Sequence, residues 1–189
     1  MTIFVIAIVG LALGGVSAAY VIDRSQALGA ISSGPWKAVA FAAAGEVDPY
    51  TIARSVIEGS VPLGATEGLS FVALTDSEDR ELDLKCQYVL EGNTPAAKLW
   101  TLTSYHPDGL PVTPAPGGKS SIFSGSMLRF ADGSFRIAVS SLPNPGNWLS
   151  ISGEGRLRFA LRLYDTQVAG SSGHEQLKLP AIVRGECDA

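Results

Sequence analysis

Hydrophobic positions change their spacing twice along this chain. From Thr2 to Ile22 (TIFVIAIVGLALGGVSAAYVI) they are nearly continuous and no residue is charged. At ~1.5 Å per residue a helix of this length measures about 31 Å, the thickness of a bilayer's hydrocarbon core. Tyr20 falls where an interfacial aromatic sits, and Asp23-Arg24 end the run. The expectation is a retained transmembrane anchor over residues 1–23. A cleaved signal peptide is the rival. Val16-Ser17-Ala18 resembles a small-residue cleavage site, yet no Lys or Arg precedes the run, which also exceeds the usual ~7–15 residues.

Residues 24–47 are small, weakly polar and without clear period, which predicts a juxtamembrane linker with Trp36 at the membrane interface or packed on the domain. Asp48-Pro49 is a helix start, Asp as N-cap and Pro at the first position. The helix it opens sets Tyr50, Ala53 and Ile57 on one face and stops at Gly59. From about residue 69 the period becomes two, predicting strands over Leu69–Thr75, Leu82–Leu90, Leu99–Ser104, Ser121–Arg129, Phe135–Ser140, Trp148–Ile151 and Leu157–Tyr164. Turn chemistry separates them: Glu91-Gly92-Asn93, Pro107-Asp108-Gly109, Pro143-Asn144-Pro145-Gly146, and Asp132-Gly133, the strongest hairpin signal. Short strands at this cadence predict a mainly β fold, an antiparallel β-sandwich or jelly roll over residues 48–189.

Composition narrows the function classes. The chain has 189 residues, enough for one domain of ordinary size. Its net charge of −4 argues against nucleic acid, since phosphate binding needs a basic face.

Three ordered stretches carry a family resemblance. They are Leu99-Trp100-Thr101-Leu102-Thr103 with Tyr105 and Asp108-Gly109; Asp132-Gly133-Ser134-Phe135; and Pro145-Gly146-Asn147-Trp148-Leu149 followed by Phe159 to Asp165. Over roughly residues 60–170 the chain resembles the DUF1214 family, in the short alphaproteobacterial form that sets one membrane helix before one domain. The resemblance implies a jelly-roll-like sandwich, usually beside a second, DUF1254 domain, and carries over no reaction, cofactor or catalytic residue.

Catalytic material is sparse. No G-x-S-x-G occurs, His106 sits in a turn, and His174 lies in a Gly/Ser-rich stretch beside Glu175. Neither spacing matches a metal site. The acidic run Asp76, Glu78, Asp79, Glu81 and Asp83 lacks the EF-hand pattern and reads as a charged hairpin tip guarding a sheet edge. The best polar constellation is Arg158, Arg162 and Tyr164, which alternation places on one strand face, with Tyr105 or Lys98 from the Trp100 strand. Guanidinium groups so placed suit an anionic head group or a partner's carboxylates, against the plainer reading of cross-strand salt bridges. Asn147 and Trp148 join the candidate surface, Asn147 as a turn residue and Trp148 as a plug at one end of the sandwich.

Cys86 and Cys187 fit neither a CxxC motif nor a zinc site. If bonded, they close a loop of about 100 residues and place the domain in an oxidising compartment; two unrelated thiols are the alternative. Gly10 and Gly14 have the GxxxG spacing of associating membrane helices. The expectation is thus a single-pass protein of the bacterial inner membrane, held through residues 2–22. Its periplasmic sandwich binds an envelope protein or envelope material. An enzyme acting on a small or lipophilic substrate, or a carrier of a hydrophobic ligand between the sheets, are the alternatives.

Overall fold

The computed structural model describes residues 2–24, 30–39, 67–166 and 177–188. Among these residues a helix, α1 (Thr2–Arg24), is followed by ten strands: β1 (Ala30–Ser33), β2 (Trp36–Val39), β3 (Gly68–Ala73), β4 (Cys86–Gly92), β5 (Ala97–Tyr105), β6 (Ser121–Phe123), β7 (Phe135–Ser140), β8 (Asn147–Ser150), β9 (Arg158–Thr166) and β10 (Ala181–Cys187). They form a six-stranded sheet in the order β1-β2-β3-β9-β5-β6 and a four-stranded sheet in the order β10-β4-β7-β8.

The two sheets pack face to face, as alternation dictates. Leu69, Phe71 and Ala73 of β3, Trp100 and Leu102 of β5, and Phe159, Leu161 and Leu163 of β9 turn inward from one sheet. Tyr88 and Leu90 of β4, Phe135, Ile137 and Val139 of β7, and Leu149 of β8 meet them from the other. Rings bridge the layers directly: Tyr88 meets Phe159 edge-on with centroids 5.9 Å apart, and Trp100 lies 5.2 Å from Phe135. Aromatic pairs in these geometries add to the stabilisation that comes from burial.

The sandwich is not wholly antiparallel. β7 and β8 run parallel, with Ala138 opposite Trp148. This settles the Asp132-Gly133 turn differently from the expected hairpin. The turn forms, with Phe130 N–H donating to Ser134 O and the Asp132 carboxylate accepting from the Ser134 amide and hydroxyl, bonds that hold its carboxyl below the usual carboxylate range. The residues before it make no strand, because β7 takes its neighbours from β4 and β8. The strand expected over Ser121–Arg129 accordingly stops at Phe123, where a single 3-10 turn follows.

Residues 30–39, expected within a linker, extend the six-stranded sheet instead. Ser33 pairs with Trp36 across a two-residue Gly34-Pro35 loop, and Gly34 at φ +56° supplies the conformation a hairpin turn with glycine first requires. Trp36 is fully buried and its Nε1 donates to Pro180 O at 2.7 Å, tying β2 to the segment that enters β10. The helix expected over 48–58 lies outside the described residues.

The acidic run is no solvated tip at its first member. Asp76 is buried, paired with Arg80 at 2.9 Å and with Arg184 of β10 at 3.0 Å, and accepts the amides of Glu78 and Arg80. Ser77 exchanges bonds with both backbone groups of Ile182, so this loop caps the β10 edge. Cys86 and Cys187 are joined, as the thiol count allowed, and the bond clips β10 to β4.

Among the described residues no helix is long and apolar enough to cross a membrane. The helix α1 itself covers 23 residues.

Candidate functional site

Outside the core, the outward faces of the two sheets carry the side chains available to a partner. On the six-stranded sheet, β9 alternates so that Arg158, Ala160, Arg162 and Tyr164 point away from the core that Phe159, Leu161 and Leu163 fill. Register then sets Tyr105 of β5 opposite Arg158, and Thr101 and Ser70 on either side of Arg162. The Arg162 Nη1 donates to the Tyr105 hydroxyl at 3.0 Å. Both guanidinium carbons lie over the same phenol ring, Arg162 at 5.3 Å and Arg158 at 5.8 Å from its centroid. Such cation–π contacts hold long side chains in place. Among the described residues Arg162 makes no cross-strand salt bridge, and its partner is the Tyr105 phenol. Tyr164 shares the face but sits on the rung of Leu99 and Gly68, away from the Tyr105 cluster. Gly68 is required there, since a Cβ would collide with the Leu163 carbonyl oxygen. Lys98 leaves the group altogether: opposite parity turns it from this face, and it pairs with Asp165 at 3.9 Å.

Asn147 and Trp148 belong to the other sheet. Trp148 does not plug an end of the sandwich; it lies half-buried on the outer face of β8 and donates to Ser140 O at 3.1 Å. It ends a row that crosses all four strands, Val183–Val89–Ala138–Trp148. Leu128 and Phe130, 68% and 62% exposed, stand beside an open groove of about 570 Å³ on this face. Asn147 holds that wall. Its Oδ1 accepts the Leu128 amide at 2.7 Å, and its Nδ2 donates to Leu128 O at 2.8 Å and Arg136 O at 2.9 Å. Asn147→Ala should lower stability by about 1–2 kcal/mol, because two backbone groups of Leu128 lose their partner together. Thermal melting checks this, and an unchanged midpoint would show that water replaces the clamp.

Sequence reasoning missed Lys37, which β2 presents on the same outer face as the two arginines, in register with Val72 and, through it, Ala160. The signal was the Gly34-Pro35 loop. Among the described residues no group of three or more His, Cys, Asp or Glu side chains is placed to hold a metal. His106 caps a turn, its amide bonded to Leu110 O, and Asp108 accepts the Leu110 amide; His174 and Glu175 lie outside the described residues. Burial raises the Tyr88 phenol above its ordinary value, and its hydroxyl both accepts from the Asp83 amide and donates to the Asp83 carbonyl, a structural closure of the loop before β4.

The family model described as protein of unknown function (DUF1214) matches residues 67–168, from the start of β3 to the end of β9. The chain belongs to this family. No curated protein matches. Among solved structures, this DUF1214 chain is similar to the VPA0106 protein from Vibrio parahaemolyticus, at 22% identity and a TM-score of 0.59 over 72% of this chain and 35% of that one. It also matches an uncharacterized protein from Burkholderia cenocepacia, at 18% identity and a TM-score of 0.43 over 70% of this chain and 33% of that one. The first shows a shared fold. This chain spans about a third of the length of either structure.

Proposed function

We propose that this DUF1214 protein is a membrane-anchored module of the cell envelope, with α1 in the inner membrane and the sandwich in the periplasm, and that it acts by binding at the outer faces of its sheets. The observation that carries the reading is α1 itself. Its apolar side chains are exposed on every side, Phe4 at 73%, Leu11 at 79% and Val16 at 70% among them. A helix apolar all round is stable only when something apolar surrounds it. The Cys86–Cys187 bond supports a domain on the oxidising side of that membrane. Interior filling by Trp36, Trp100, Tyr88, Phe71, Phe135 and Phe159 supports action at the surface rather than on a ligand between the sheets.

Alkaline carbonate extraction of membranes from cells expressing the full chain tests this. The protein should stay in the pellet, and protease added to spheroplasts should cut the domain. A charge at the helix centre, Leu11→Arg, costs about 2.5–3.5 kcal/mol of insertion and should shift protein to the soluble fraction. Quantitative release of the unaltered chain by carbonate would overturn the anchored reading.

A further inference from the structure

We propose that the outer face of the six-stranded sheet docks on the anionic phospholipid headgroups of the membrane that α1 enters; the inference rests on the anchored reading above. The first support is the tether. α1 ends at Arg24 and β1 begins at Ala30, so only residues 25–29 lie between them. Six steps of ~3.3–3.6 Å allow at most about 22 Å. A domain joined by a linker over 24–47 would wander; this one keeps the β1–β2 edge of a particular sheet beside the headgroups.

The second support is charge. Adjacent cross-strand rows on this face read Lys37–Val72–Ala160–Thr103–Ser121 and Ser70–Arg162–Thr101–Phe123, with Arg158 beside Tyr105 on the next. Lys37 and Arg162 therefore stand on adjacent rows of one face in a chain whose net charge is −4, and these rows contain no Asp or Glu. Tyr105 holds both guanidinium groups over one ring, and only one N–H of Arg162 is spent on its hydroxyl. A guanidinium fixed this way is preorganised to grip a phosphodiester through parallel N–H bonds. The third support is the company these cations keep. Tyr105 and Tyr164 are amphipathic rings suited to the headgroup level, while Leu99 and Phe123 are 39% and 48% exposed on the same face. The opposite sheet sets Arg129 and Arg136 about a groove beside the Val183–Val89–Ala138–Trp148 row, with Glu91 opposite Arg136, and suits a different partner.

The test places the full chain in nanodiscs of phosphatidylcholine, with or without phosphatidylglycerol, and follows acetylation of single lysines by mass spectrometry. Lys37 should be modified about fivefold more slowly in the anionic discs, consistent with the attraction of one cation to an anionic surface. Lys85, on the four-stranded side, should react equally in both. Arg162→Gln and Arg162→Leu substitutions should each remove the Lys37 protection while leaving the melting midpoint near that of the parent. High salt should remove it in the unaltered chain, since exposed charges are screened within a few ångströms at molar ionic strength. Equal Lys37 rates in the two lipids, or protection that survives both the substitutions and salt, would overturn the proposal alone. A chain that does not enter the discs removes the anchored reading and this inference with it.

Discussion

Cys187→Ser should lower the stability of the oxidised domain by about 2–5 kcal/mol, toward the upper end of that range. The bond closes a sequence separation of 101 residues, for which chain entropy alone gives about 4.7 kcal/mol. At ~2–4 °C per kcal/mol for a chain of this size, the melting midpoint should fall by about 10 °C. Cys187 is the better site to change because it is exposed, whereas Cys86 is buried and a serine there also strands a hydroxyl. The bond matters beyond entropy. It fastens β10, whose Ile182 fills the core and whose Arg184 partners Asp76, to the one strand it pairs with. Differential scanning calorimetry should show the oxidised parent well above the variant, and the reduced parent close to it. Coincident midpoints for oxidised parent and variant would mean that β10 is held by its hydrogen bonds without help.

The strands that sequence made legible share one property. Each of β3 to β9 has one face on the core and one outward, so a period of two appears over enough residues to be seen, most clearly in Phe159–Leu161–Leu163 against Arg158–Arg162–Tyr164. That same alternation is why the arginine face could be anticipated. Its joining to Tyr105 depended on register, which turns and long connections set and which no local pattern reports. β1 and β2 escaped because each has four residues and their sequence is small and weakly polar; only Gly34-Pro35 marked the hairpin. β10 escaped because its apolar stretch is Ala181-Ile182-Val183, too short for a period, before Arg184 and Gly185. The tryptophans illustrate the limit from the other side. Trp36 takes the second of its two expected places, buried in the domain, whereas Trp148 lies half-buried on an outer face. Which face a tryptophan takes follows from its strand's partners: β2 lies against β3, while β8 continues β7 in parallel.

The buried carboxylate that the acidic run concealed sets the second large effect. Asp76→Ala should cost about 3–5 kcal/mol, the penalty for removing one partner of a buried ion pair. The change leaves Arg184, whose side chain is only 18% exposed, beneath the loop without its anion, although it keeps the Tyr88 ring 5.6 Å away. It also strands the Glu78 and Arg80 amides, and so loosens the loop that caps β10 through Ser77. Arg80, 46% exposed, remains hydrated and contributes less. Asp76→Asn should cost less than alanine, since an amide oxygen still accepts from the two amides. The pair of variants separates charge from hydrogen bonding. Burial alone would raise the carboxyl of Asp76, but the amides of Arg80 and Glu78 and the Arg80 guanidinium outweigh it and leave it below the ordinary value of 3.8. A carboxylate whose folded value lies below its unfolded one stabilises the protein fully above the unfolded value, and that stability is lost as pH falls through the folded one. Stability of the parent should therefore drop through and below pH 3.8, and Asp76→Asn should flatten that part of the profile while lying lower at neutral pH. Denaturant titrations across this range decide it. A parent and an Asn variant that lose stability in parallel would show that other carboxylates govern the acid transition and that Asp76 holds β10 by its shape and hydrogen bonds rather than by its charge.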